Sequence, residues 1–202
     1  MPSARAYARK APDERKRQLI KSTIAVLAEG GLAAFTVERI ANHAGISKGL
    51  ISHYFAGKDD LLAHAYEAMA SDFDEIAEAY FEREDVEPMR ALHAYIDASF
   101  DRPAFDRTRL RAWLAVWEAT AGSRRLTEIH RQRQSTFITH LERLIAAASG
   151  ETGNKVDALP VAMMLDAMIT GLWIEWCLND SPKPAHQPGK ILKEFLASQI
   201  GG

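Results

Sequence analysis

The chain has 202 residues, of which 47% are apolar, with a net charge of −2 and a single cysteine. That length suits one domain, or a small domain fused to a larger one, and the apolar content fills a sizeable core. Cys177 alone excludes an internal disulfide framework.

Charge is unevenly spread. Residues 1–60 carry ten Lys/Arg against six Asp/Glu, and the remainder carries fifteen against twenty-one. A basic head on an acidic body points to an anionic partner for the head, although chance placement of surface charge produces the same asymmetry. The basic N-terminus has no apolar run behind it, so no signal peptide is expected. The most apolar stretch, Val161 to Trp176, is interrupted by Asp166 and Glu175, so no membrane span is expected either. The expected location is the cytoplasm.

In chain order, residues 1–11 are polar and read as a flexible arm. A first helix opens at Pro12-Asp13-Glu14, carries Ile20, Ile24 and Leu27 on one face, and stops at Gly30-Gly31. Thr36 is placed to cap a short second helix, Val37 to Ala44. Gly45-Ile46-Ser47 makes a tight turn, and Ser47 is placed to cap a third helix, Lys48 to Phe55. After Ala56-Gly57 a long fourth helix runs from Lys58 to about Phe81. Glu84 to Pro88 reads as a loop. Helices follow at 88–100, 106–121, 125–148, 157–178 and 189–200. They are separated by Pro103, Gly122-Ser123, Gly150 with Gly153-Asn154, and a Pro-rich 181–189 loop. No segment alternates like a half-buried strand. The fold class is all-α with nine helices. A head at 12–62 and a body at 63–202 divide inside the fourth helix, where the charge changes sign.

The second and third helices, joined by a turn containing a glycine, have the proportions of a helix-turn-helix. Ala41 is small where the helices cross, and Gly45 suits a left-handed turn. Ile40, Ala44, Ile46, Leu50 and Ile51 form the inner face. Lys48, Gly49, Ser52 and His53 are left facing outward at the start of the third helix, where a recognition helix meets base edges. Spacing alone is equally that of a solvated helical hairpin.

The segment from Thr36 to Phe55, followed by Gly57-Lys58-Asp59-Asp60-Leu61-Leu62, resembles the N-terminal domain of the TetR family. The resemblance is carried by Thr36, Ile40-Ala41, Ala44-Gly45-Ile46-Ser47, Tyr54-Phe55 and Lys58. Ser52 departs from the aromatic residue most common there. The string Gly-Leu-Ile-Ser-His-Tyr-Phe at 49–55 is similar to the BetI branch of choline-responsive repressors. So are Ser99-Phe100-Asp101, Leu110 to Trp117, and Gly171-Leu172-Trp173. The resemblance implies a homodimeric repressor with a ligand-binding and dimerisation body, released from a palindromic operator by a small molecule. It implies DNA contacts at Thr36, Ser47, Lys48, Gly49, Ser52, His53, Tyr54 and Lys58. Lys48 is the candidate for guanine, and Thr36, Tyr54 and Lys58 are candidates for the phosphate backbone.

In the body, Trp113 and Trp117 are spaced to share one helix face, and Trp173 and Trp176 another. Glu118 and Glu175 lie beside them in sequence, and Tyr95, Phe100, Phe105 and Phe137 add rings. Aromatic faces with a nearby carboxylate suit a quaternary ammonium, which has charge but no donor to satisfy. Any one of these rings serves equally well as core filling. The candidate ligand set is Tyr95, Phe100, Trp113, Trp117, Glu118, Trp173 and Trp176. A polyamine, a cationic drug or an aromatic metabolite is the alternative ligand.

One stripe, Leu159, Met163, Ala167, Thr170 and Ile174 with Ile191, Leu192, Phe195 and Leu196, is the expected dimer face. The sequence holds no His-Glu-x-x-His, Gly-x-Ser-x-Gly, Gly-x-Gly-x-x-Gly or Cys-x-x-Cys pattern, so neither an enzyme nor a bound metal or cofactor is expected. A ligand-binding module without specific DNA affinity is the remaining rival.

Overall fold

A computed structural model describes residues 12–81, 86–101, 106–153, 155–179 and 187–201. The arm at 1–11, Phe105 and most of the 181–189 loop lie outside the described residues. Among those described, every element is a helix. The nine run α1 (Pro12–Ala34), α2 (Val37–Ala44), α3 (Lys48–Tyr54), α4 (Lys58–Phe81), α5 (Pro88–Ser99), α6 (Arg107–Gly122), α7 (Arg124–Thr152), α8 (Ala158–Leu178) and α9 (Pro188–Ile200).

Local chemistry explains most of the boundaries. The straight part of α1 ends at the two glycines, since Gly31 adopts φ +65°, ψ −164°, a conformation only glycine takes cheaply. Ser123 ends α6 and its side chain accepts from the Leu126 N–H to begin α7, so the two helices turn on one residue. Asp106 accepts from the backbone N–H groups of Thr108 and Arg109 at the start of α6. α7 runs past Gly150 and stops only at Gly153, four residues beyond the expected end.

The apolar residues gather into two cores. The first joins Leu19, Val26 and Leu27 of α1, Ile40 of α2, Ile51 of α3, Leu61, Leu62 and Met69 of α4, Trp113 and Val116 of α6, and Leu126 of α7. α1 packs more extensively on α6 than on any other helix. Ala112, Ala115 and Ala119 keep that face of α6 low and are buried there. The head is therefore seated on a body helix, and the expected division at 62/63 falls inside both a continuous helix and a continuous core. The second core joins Leu92 and Ile96 of α5, Leu141 and Ile145 of α7, Leu165 and Ile169 of α8, and Leu192 and Leu196 of α9.

Between the cores runs a polar seam. Along α7, Leu126 and Ile129 belong to the first core and Phe137, Leu141 and Ile145 to the second. In the stretch between them, the Tyr66 hydroxyl bonds His130 Nδ1 at 2.9 Å, Arg133 pairs with Asp74, and Gln134 Nε2 donates to Asp166. Nearby, Arg109 Nη2 donates to the Met69 carbonyl at 3.1 Å.

α8 is long and apolar enough to cross a membrane, with a mean hydropathy of 1.5 over its most apolar window. Its Val161, Ala162, Leu165 and Ile169 are nevertheless buried within the chain, and α7 and α9 pack on it. A helix apolar on all sides also arises where one face meets the core and another meets a partner. Met163 on the outer side is 57% exposed and Leu159 42%. The expected dimer stripe is thus open along α8 but divided along α9. Ile191 is exposed, whereas Leu192 and Leu196 face inward and are fully buried in the second core. Cys177 is half-buried, and partial burial pushes its thiol pKa up.

Candidate DNA interface and ligand site

The outward face of the head is set by capping and turn chemistry. Thr36 takes extended geometry and its hydroxyl accepts from the Arg39 N–H at 3.2 Å, starting α2; such a cap is worth about 1 kcal/mol. Gly45, at φ +66°, sends its N–H back to the carbonyls of Ala41 and Asn42 and reverses the chain. Ser47 occupies the N-cap position of α3 as expected, but its side chain makes no capping bond. Its exposed hydroxyl is not committed to the cap.

Ile51 is the buried residue of α3, 5% exposed, in the same core as Ile40 and Ala41, with Tyr54 partly packed against that core. Burying a side chain such as Ile51 stabilises by about 1.5–3 kcal/mol. On the opposite side Lys48, Gly49, Ser52 and His53 are exposed, and Ser47 precedes them. The Ser52 hydroxyl donates to the Gly49 carbonyl. Lys48 pairs with Glu38 of α2 at 2.9 Å, in the open. Tyr54 is half-buried and meets His53 edge to face. Lys58 stands with its ammonium 4.8 Å from the centre of the Phe35 ring.

A second layer, which sequence reasoning missed, locks this surface to the body. Asp60 of α4 accepts the Ala56 N–H just after α3 and pairs with Arg125 of α7 at 2.8 Å. The Ala56 bond, then Arg125, hold the Asp60 carboxyl below the usual range despite partial burial. His64 Nδ1 lies 2.8 Å from the Asp60 carbonyl, an acceptor only. The proton is therefore on Nδ1, and Nε2 accepts from Lys16 of α1 at 3.0 Å. The signal for this layer in the sequence was the acid pair after Lys58, which reads as ordinary first-turn acids.

The ligand candidates are not brought together. Trp113 and Trp117 lie side by side, centroids 5.7 Å apart, in the first core, with Tyr66 edge-on to Trp113. Glu118 is exposed. Tyr95, Phe100, Trp173 and Trp176 lie in the second core. Trp173 Nε1 donates to the Ser99 carbonyl, fixing that ring structurally. Trp176 already carries the Arg107 guanidinium of its own chain 4.9 Å from its ring centre. Tyr95 lies against Phe137, centroids 5.8 Å apart. Burial pushes the Tyr66 pKa up to about 12 and that of Tyr95 higher, so both phenols stay protonated. The carboxylate that sequence reasoning missed is Asp166, half-buried at the seam, whose pKa is raised chiefly by desolvation.

Comparison with known proteins follows this geometry. Residues 19–65 match the bacterial regulatory proteins of the tetR family, and residues 88–201 match the BetI-type transcriptional repressor C-terminal domain. The chain belongs to the TetR family. It carries a BetI-type C-terminal domain and is a transcriptional regulator, not an enzyme. The regulator is 37% identical to the HTH-type transcriptional regulator BetI 2 of Chromohalobacter salexigens over 90% of its own length and 86% of that protein. A crystal structure described as a transcriptional regulator from Pseudomonas aeruginosa superposes with a TM-score of 0.86 at 29% identity, covering 98% of this chain and 96% of that one. A regulator from Saccharomonospora viridis, crystallised in complex with choline, shares the fold at TM-score 0.80 and 19% identity, covering 93% of this chain and 98% of that one.

Proposed function

We propose that this regulator represses transcription as a homodimer on a palindromic operator and is released by a small organic cation of the choline class. The observation that carries the DNA reading is the sidedness of α3. Ile51 is buried while Ser47, Lys48, Gly49, Ser52 and His53 stand clear of the globule. Lys48 donates to a base edge. Thr36, Tyr54 and Lys58 flank it as phosphate contacts. Two heads one helical turn apart, about 34–36 Å, read the two half-sites. The unpaired apolar side chains of α8, Leu159 and Met163, support dimerisation there, with Ile191 of α9 at its edge. The head is 12–62 and the sensing body 63–202, in a cytoplasmic protein.

The choline class is supported by the BetI-type relatives, by the choline held in the Saccharomonospora viridis protein, and by a body that combines aromatic residues with a half-buried carboxylate. Inducer release works only through unequal affinity for two head spacings. About 100-fold induction needs about 2.7 kcal/mol of difference.

The test is titration of the regulator onto its own upstream region at about 0.15 M salt, where non-specific binding is weak. Lys58→Ala should weaken all duplexes alike and reduce the salt slope by about one charge per head. Lys48→Ala should cost about 1–3 kcal/mol on the operator and relax base preference. Unchanged binding in both variants refutes the assignment.

A further inference from the structure

We propose that Asp166 is the counter-ion for the inducing cation, held in the seam between the two cores against Tyr95 and Phe137. This rests on the cation reading above and gives it a place in the chain.

α8 carries one residue out of keeping with the rest of its sequence. Between Ala158 and Ile174 Asp166 is the only charged residue, and its neighbours Leu165 and Ile169 are buried. An acid at such a position costs free energy unless charge or strong hydrogen bonds compensate it. Four other acids of the body and junction are compensated. Asp60 has Arg125, Asp74 has Arg133, Asp97 has Lys193, and Asp106 caps a helix. Among the described residues, Asp166 has one hydrogen bond, from Gln134 Nε2 at 3.4 Å, beyond the usual N–H···O range, and no Lys or Arg within ion-pair distance. A half-buried carboxylate left this way fits a cation that arrives from outside.

The surroundings suit an onium ion and not a second protein cation. Tyr95 of α5 and Phe137 of α7 lie together in the second core at 5.8 Å between centroids, and the Asp166 charge adds to the rise of the Tyr95 phenol pKa. Ring faces attract a quaternary ammonium without requiring donors from it, and the carboxylate supplies the opposite charge. The site is also wired to the head. His130, one turn of α7 before Gln134, bonds the Tyr66 hydroxyl of α4, and α4 begins at the contacts that hold α3. A cation at Asp166 therefore changes the charge balance at the joint of α4, α7 and α8.

The experiment is calorimetry on the full chain, with choline chloride and with its uncharged carbon isostere as probes. The proteins are wild type, Asp166→Asn, Phe137→Leu and Glu175→Gln, each checked for mass by light scattering and for thermal unfolding. The expected result is that Asp166→Asn loses choline affinity by about ten-fold or more and binds the isostere as wild type does. Phe137→Leu should lose choline by a few-fold, as a cation–π contact predicts. Glu175→Gln, exposed on the same helix, should bind as wild type does. Choline affinity within two-fold of wild type in Asp166→Asn overturns the Asp166 assignment and leaves the cation reading standing. A monomeric Asp166→Asn also overturns it, because Asp166 would then serve the subunit interface. Wild type that binds no choline overturns the cation reading and this proposal with it.

Discussion

α3 and α8 use the same element in opposite ways. α3 is seven residues long, is held by one buried side chain and turns its polar residues out. α8 is twenty-one residues long, apolar on every side, and draws its one mid-helix charge toward the interior. In the head the chemistry is available to a large rigid partner and costs the fold little. In the body it is placed where the fold pays a standing desolvation penalty, which only an incoming ligand relieves. A DNA-reading surface can be built by leaving residues out of the core. A ligand site has to be built by leaving something unsatisfied within it.

The largest expected effect bears on whether the two regions are separable. Trp113 of the body packs against Tyr66 of α4 in the core that also holds α1, α2 and α3. Trp113→Ala should destabilise by about 3–5 kcal/mol and lower a single cooperative unfolding transition, read by calorimetry together with the fluorescence of the remaining tryptophans. Two resolved transitions, with the head melting at its wild-type temperature, would break the picture of a head seated on α6.

Next in size is the lock between them. Asp60→Ala removes the acceptor for the Ala56 N–H and the partner of Arg125, a loss of about 1–2 kcal/mol. The Asp60 carboxyl sits below the ordinary aspartate value of 3.8 in the folded state. Its contribution is therefore present above that value and disappears as pH falls through the lower, folded one. Wild type and Asp60→Ala should differ at neutral pH and converge toward acid in chemical denaturation. Operator affinity should fall less than the response to inducer, since α3 keeps Ile51 while its tie to α7 is cut. A variant with full induction would show that the signal reaches α3 by another route.

How much of this was readable follows from the same contrast. The breaks at Gly30-Gly31 and Gly45, the Thr36 cap and the outward set on α3 were legible because short helices between strong punctuation have only one face to bury. The long helices were legible as helices but not as faces. α8 is apolar all round, so periodicity does not say which side is inside. Leu192 and Leu196 read as dimer contacts yet fill the second core. Trp113 and Trp117 do lie side by side, but spacing within a helix says nothing about which core a helix enters. The two tryptophan pairs therefore separate into different clusters. Asp166 was read as an interruption of an apolar run and not as a site, because its lack of a cationic partner is a property of three packed helices and of no local pattern.

The smallest expected effect concerns the one charge pair on the DNA face. Lys48 and Glu38 meet at 2.9 Å with side chains 58% and 65% exposed, so the pair adds only about 0.2–1 kcal/mol to stability. Its consequence lies on the duplex. Glu38 holds Lys48 among solvent and brings a negative charge to a surface that must approach phosphates. A base edge that takes Lys48 must compete with that carboxylate, whereas a non-specific duplex never displaces it. Glu38→Gln should leave unfolding unchanged and raise affinity for every duplex by a few-fold, with a salt slope steeper by up to about one charge per head. Because only the operator has to displace Glu38 from Lys48, it gains more than non-specific DNA, and the ratio between them should rise. Equal affinity and equal slope would place Glu38 away from the phosphates and require α3 to enter the groove at a different angle.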